Sequence, residues 1–148
     1  MVIKLLLIIL MISLTTIVVM QIVFRFIIKS PLSWSEELSR YIFIWLVYIG
    51  GYLTVRNNSN LGLTYFAERL PIRLRKFNNV LSIVIITLYM LIVGVAGIVL
   101  SVKVMSQPSA IMRIPMGIVY FAIPIGMFLM AIGMVASLYN TFKTGGKI

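Results

Sequence analysis

Three carboxylates, Glu36, Glu37 and Glu68, are the only acidic side chains in the 148 residues, and neither cysteine nor histidine stands beside them. Without thiols or imidazoles there are no disulfides or thiolate nucleophiles, and almost every transition-metal or haem ligand set is excluded. Glu36 and Glu37 are adjacent, so on a helix their side chains diverge by about 100° and cannot share a proton or a metal as a catalytic carboxylate pair does. There is no Ser/His/Asp or Cys/His set and no glycine-rich phosphate loop following a strand. The chain therefore reads as a protein that is not an enzyme and holds no cofactor. Arg40, four residues after Glu36 and three after Glu37, is placed for helical ion pairing in the favourable order, acid before base.

The elements that hold these residues are set by hydropathy. With 61% apolar residues and a mean hydropathy of +1.12, the chain lies far above the roughly 45–50% apolar content of soluble domains. It reads as an all-α integral membrane protein, one domain over 1–148 with four spans at about 5–28, 34–55, 79–103 and 115–141. Leu5–Phe24 is a 20-residue run without a charge, enough for about 30 Å of hydrocarbon. It lacks the short core and small-residue cleavage site of a secretory signal. Ser30-Pro31 breaks this helix, and Ser33-Trp34-Ser35-Glu36 has the S-x-x-E form of a capping box that would start the second. Tyr41–Val55 has only 15 uncharged residues, so the second span must extend back towards Trp34 to reach across. The net charge of +10 belongs to lipid headgroups and topology rather than nucleic acid, because the basic residues stand at span ends.

Small residues mark expected packing faces, namely Gly50 and Gly51 in the second span, Gly94, Gly97 and Ser101 in the third, and Ala122, Gly126, Gly133 and Ser137 in the fourth. Pro115 is expected near the start of the fourth helix, and Pro124 is expected to bend it because it cannot donate to the carbonyl of Tyr120. Between the second and third spans, about 63–77, apolar Phe66, Leu70, Leu74 and Phe77 fall on one helical face and Arg69, Arg73 and Lys76 on another. An amphipathic interfacial segment is predicted there, with Pro71 either splitting it or beginning a new helix and with Arg69, Arg73, Arg75 and Lys76 as lipid anchors. Eight basic residues lie on the side shared by the termini and this segment, against Arg25, Lys29, Arg40, Lys103 and Arg113 on the other. That excess predicts both termini in the cytoplasm and Glu36, Glu37 and Arg113 outside.

The residues Trp34-Ser35-Glu36-Glu37-Leu38-Ser39-Arg40-Tyr41, followed by Phe43-Ile44-Trp45, Gly50-Gly51, Arg56 and Leu70-Pro71, resemble the small membrane subunit of tripartite ATP-independent periplasmic (TRAP) transporters. A second block, Ile114-Pro115-Met116 through Tyr120 to Ile123-Pro124-Ile125-Gly126, is similar to that family's entry into its last span. The position where many members carry a histidine, just after the second span, holds Asn60. The resemblance implies a subunit of a sodium-coupled importer in the bacterial inner membrane. Its partners would be a large multi-span elevator-type transport subunit, which would hold the sodium, and a periplasmic binding protein that delivers a carboxylated solute of sialic acid or C4-dicarboxylate type. Trp34, Glu36, Glu37, Arg40 and Arg113 are then the candidates for partner contact or for organising the outer end, and membrane lipids are the remaining partners. Two other readings compete. A four-span multidrug exporter normally needs a carboxylate at membrane depth, which none of the uncharged runs supplies, and a respiratory-enzyme anchor would have to be haem-free.

Overall fold

The computed structural model describes residues 2–56 and 72–143, with the side chains of 72–76, 79 and 137–143 outside that description. The described residues form helices α1 (Val2–Phe26), α2 (Ser33–Arg56), α3 (Ile72–Lys103), α4 (Met116–Tyr120) and α5 (Ala122–Lys143), joined by turns and one isolated antiparallel bridge. Four stretches are long and apolar enough to cross a membrane: α1, α2, Val80–Lys103 of α3, and Met116–Ala136 across α4 and α5. The protein is thus an all-helical, multi-pass membrane protein.

Hydroxyls inside the spans are satisfied locally, as hydrocarbon requires. Thr15 and Thr16 of α1 donate to Met11 O and Ile12 O at 2.9 Å each, Thr87 of α3 to Ile83 O at 2.7 Å, and fully buried Ser101 to Gly97 O at 2.7 Å. Helix α1 ends in a widened turn. Ile28 N–H bonds Val23 O at 3.3 Å and Ser30 N–H bonds Phe24 O at 3.1 Å, with Lys29 in the left-handed region at φ 58°. Helix α2 begins at Ser33, but not through the expected capping box. Its first turn is tied down by Ser35, whose amide and hydroxyl both donate to Leu32 O, at 3.1 and 2.7 Å. The Glu36 carboxylate turns instead to Arg40.

The fourth span begins at Pro115 as expected, and its hydrogen-bond ladder lapses for one residue near Pro124. Pro115 stands at the N-cap of α4, and the helix breaks at Phe121 before resuming as α5, because Pro124 has no amide for the Tyr120 carbonyl. Basic Ile72–Phe77 is continuous with the third span, since α3 runs unbroken from Ile72, immediately after Pro71. The rest of the predicted amphipathic segment, including Arg69, lies outside the described residues, as do Asn60 and the side chains of Arg73, Arg75 and Lys76.

Among the described residues the helices form an open row. Helix α1 packs on α2, α2 on α4 and α5, and α5 with α4 on α3; no contact joins α1 to α5 or α2 to α3. Glycines determine how closely the row closes. On α3, a Cβ at Gly94 would meet the Phe128 ring at 3.2 Å and one at Gly97 would meet Pro124 Cδ at 3.0 Å, so the predicted small-residue face of α3 lies against α5. On the opposite side of α5, a Cβ at Gly126 would lie 2.6 Å from Tyr48 Cβ and one at Gly133 3.4 Å from the Tyr52 ring. Gly51 faces Met130, whereas Gly50 approaches α1 only loosely, since a Cβ there would stand 3.9 Å from Leu7 Cδ2. The buried apolar side chains, among them Ile49, Val119, Ala122, Ala131 and Met134, lie on α2, α4 and α5, and α1 buries none.

Candidate functional site

At the end of the row where α1 stops and α2 starts, the α3–α4 connection folds over the first turns of α2. Turns at Val104, Met105 and Gln107, with bonds of 3.0–3.2 Å, wind down α3. The chain then makes a narrow hairpin with Pro108 opposite Pro115. Ser109 N–H bonds Ile114 O and Met116 N–H bonds Gln107 O, both at 2.9 Å, while the buried Ser109 hydroxyl accepts the Ile114 amide at 3.1 Å. Proline suits both bridge positions, where no ladder amide is needed.

The hairpin tip is held by Glu37. One oxygen, Oε2, accepts the Ile111 amide at 3.1 Å and the Met112 amide at 2.8 Å, and the other, Oε1, accepts the hydroxyl of Tyr41 one helical turn on. The Tyr41 hydroxyl also lies 3.3 Å from Met116 Sδ, and its ring is buried under the start of α4. Two successive backbone N–H groups converging on one carboxylate make a small anion nest that the protein fills itself. Glu37 is thus spent inside the fold as a latch between α2 and the hairpin.

Arg113, next along the tip, is exposed and adopts φ 54°, a left-handed conformation that disfavours a residue with a Cβ. Arg113→Gly should therefore stabilise the fold by about 1 kcal/mol relative to Arg113→Ala, a difference readable in the unfolding midpoints of the two variants.

Glu36 and Arg40 point the other way, as the angle between adjacent helical positions requires. They form an exposed pair at 3.5 Å facing the α1 side, where Leu14 and Val18 lie across from Phe43. The sequence paired Arg40 with either glutamate; the fold gives it Glu36 and gives Glu37 to the hairpin. Trp34 is exposed in the first turn of α2. The structure therefore brings Glu37 and the Arg113 loop together and leaves Trp34 and the Glu36–Arg40 pair outside that contact. Sequence reasoning passed over Tyr41, Ser109, Ile111, Met112 and Gly117. Tyr41 at four residues from Glu37 was a readable signal; backbone amides contributed from 74 and 75 residues away carry none. Gly117 is the tightest of these contacts, since a Cβ there would lie 2.5 Å from Ser101 O. No group of three acidic, histidine or cysteine residues able to hold a metal occurs among the described residues.

The profile of the family described as tripartite ATP-independent periplasmic transporters, DctQ component, matches residues 14–144. The small permease protein SiaQ of a sialic acid TRAP transporter from Vibrio cholerae is 26% identical over 90% of this chain and 78% of its own length. The permease protein DctMQ of an isethionate TRAP transporter from Oleidesulfovibrio alaskensis is 25% identical over 76% of this chain and 18% of its own. The small permease protein DctQ of a C4-dicarboxylate TRAP transporter from Rhodobacter capsulatus is 29% identical over 77% of this chain and 51% of its own. These relatives are transporter permease subunits and not enzymes. The chain belongs to the DctQ-component family of TRAP transporters and is a small permease subunit of that kind.

Proposed function

We propose that this subunit serves as the fixed scaffold of a sodium-coupled importer in the bacterial inner membrane, with both termini cytoplasmic. A large multi-span partner would carry the sodium and the solute through an elevator-type movement. A periplasmic binding protein would deliver a carboxylated organic anion of the sialic acid or C4-dicarboxylate kind, the solutes named for the Vibrio and Rhodobacter relatives. The observation that carries this reading is the open row of helices. Its outer helices α1 and α3 expose aliphatic side chains such as Ile8, Ile12, Leu88, Ile92 and Val99, and its uncharged runs hold no ionisable group for moving an ion. Such a row offers area to a partner rather than a path of its own.

The hairpin end, with its concentration of polar contacts around Glu37 and its exposed Ile111 and Arg113, would face the periplasm and help seat the binding protein, while Arg69, Arg73, Arg75 and Lys76 would anchor the opposite surface to anionic lipid. Co-expression with a large permease subunit and a binding protein of the TRAP type, mild-detergent purification and uptake in vesicles test the reading. A large multi-span subunit should co-purify, and uptake should require sodium, the binding protein and this chain together. A chain that purifies alone and transports by itself would overturn it, as would uptake undiminished in its absence. Cysteines placed at Val2 and Ile111 should label from opposite sides of the membrane, Ile111 from the periplasm.

A further inference from the structure

The exposed Glu36–Arg40 pair lies deeper than its place in the sequence implies. Leu7 approaches Gly50, and Leu14 and Val18 line a groove with Glu36, Ser39, Arg40 and Phe43, so the antiparallel register of α1 and α2 sets Arg40 about level with Val18. Val18 is seven residues before Arg25, the first charge at this end of α1, which places it about 10 Å inside the apolar run. Helix α1 has apolar residues for about 30 Å, whereas the uncharged part of α2 covers only about 22 Å. Where the two helices share one bilayer, the pair therefore faces outward at a depth that α1 assigns to hydrocarbon, with side chains 69% and 68% exposed. Ionised groups at such depth are found in polar company.

The groove that holds the pair has a volume of about 340 Å³ and is graded in polarity. Leu14, Val18 and Phe43 form its apolar wall and Glu36, Ser39 and Arg40 its polar one. The Arg40–Glu36 contact is long, 3.5 Å through a single guanidinium nitrogen, so most of the five donors of Arg40 and most of the acceptor capacity of Glu36 remain open. A group offering both an acceptor anion and a donor cation, without net charge, fits that pair.

We propose that this groove binds a phospholipid with a phosphoethanolamine headgroup. Its phosphate accepts hydrogen bonds from the Arg40 guanidinium, its ammonium donates to the Glu36 carboxylate, and an acyl chain lies along Leu14, Val18 and Phe43. The lipid draws its headgroup down to the pair and so bridges the mismatch between α1 and α2. A choline headgroup has no N–H to offer Glu36, and a glycerol headgroup has no cation.

The test is native mass spectrometry of the subunit purified with whatever permease partner accompanies it, after partial delipidation and addition of phosphatidylethanolamine, phosphatidylcholine or phosphatidylglycerol at equal concentration. Phosphatidylethanolamine should be retained preferentially. Arg40→Ala should lower its retention about tenfold, the effect of losing charge-assisted hydrogen bonds. Glu36→Ala, which removes the acceptor, should abolish the preference over phosphatidylcholine, with Glu36→Gln, which keeps an uncharged acceptor oxygen, weakening it. Arg40→Lys, which keeps the charge but not the planar fork, should fall between wild type and Arg40→Ala and serves if the alanine variant does not assemble. A photo-crosslinker at Val18 should label lipid. Equal retention of the three lipids, retention unchanged by the Arg40 variants, or a crosslink from Val18 to a polypeptide would each overturn the proposal, the last in favour of a subunit interface.

Discussion

Replacing Gly126 with alanine should destabilise the helix row by about 2 kcal/mol, while the same substitution at Gly133, two turns along the same face of α5, should be neutral or stabilise it slightly. The two sites see the same neighbour helix. At Gly126 the new methyl would stand 2.6 Å from Tyr48 Cβ, 2.9 Å from Tyr48 O and 3.1 Å from Tyr48 C. Two of those atoms belong to the backbone of α2, so relief requires α2 and α5 to part along their seam. At Gly133 the closest atoms are the Tyr52 ring at 3.4 Å and Val55 Cγ1 at 3.5 Å, ordinary contact distances, and alanine then contributes its better helix propensity. The unfolding midpoint of purified Gly126→Ala should fall, and that of Gly133→Ala should stay level or rise. Tyr48→Ala should not rescue Gly126→Ala, because the Cβ and carbonyl of residue 48 remain; rescue by that variant would show that the seam is less tightly closed than these distances indicate. For a subunit whose work is to hold a partner in place, loosening this seam should also reduce co-purification of that partner.

Glu37→Ala should release the α3–α4 hairpin from α2 without unwinding either helix. The carboxylate takes two amides and the Tyr41 hydroxyl, so its removal leaves three donors to find water, while the loop keeps its own bridge at Pro108 and Pro115 and the bond of the Ile114 amide to the Ser109 hydroxyl. Amide hydrogen exchange at Ile111 and Met112 should accelerate by at least about tenfold, as expected when a local opening replaces a bonded state, while exchange in the middle of α5 should be unaltered. Tyr41→Phe should have a smaller effect on the same two amides, since Glu37 Oε2 still reaches them. Glu37→Gln keeps an acceptor oxygen but places an NH₂ group where Tyr41 or an amide now donates, so it should resemble alanine more than wild type. If the hairpin end seats the binding protein, uptake should fall in Glu37→Ala with assembly preserved. Unchanged exchange at Ile111 and Met112 would rule out the latch.

Much of the fold was legible because membrane spans are chosen by length and hydropathy, which are local properties. The run Leu5–Phe24 and the start of the fourth span at Pro115 follow from the covalent and hydrogen-bonding limits of the residues themselves, whereas α1 ends at Phe26, ahead of the predicted break at Ser30-Pro31, in a turn closed by left-handed Lys29. The packing faces were half legible. Gly94, Gly97 and Gly126 do meet neighbouring helices, but small-residue spacing could not say which helix each meets, nor that α5 would sit between α2 and α3. The Ser33-to-Glu36 pattern misled because Glu36 has a second partner within reach in Arg40 and because Ser35 ties the first turn to Leu32 instead.

The sequence by itself determined that this chain spans a membrane with helices, that no metal-binding thiol or imidazole is present, and that its acidic residues flank the uncharged runs rather than interrupt them. Tertiary structure decided what those acids do. Glu37 became a latch because the α3–α4 hairpin presents two amides to it across 74 and 75 residues. Glu36 and Arg40 came to lie beside the apolar run of α1 because antiparallel pairing sets them level with Val18. A side chain's place in its own helix is fixed by the local chain. The depth and company it keeps are fixed by the register of its neighbours, which no single span encodes.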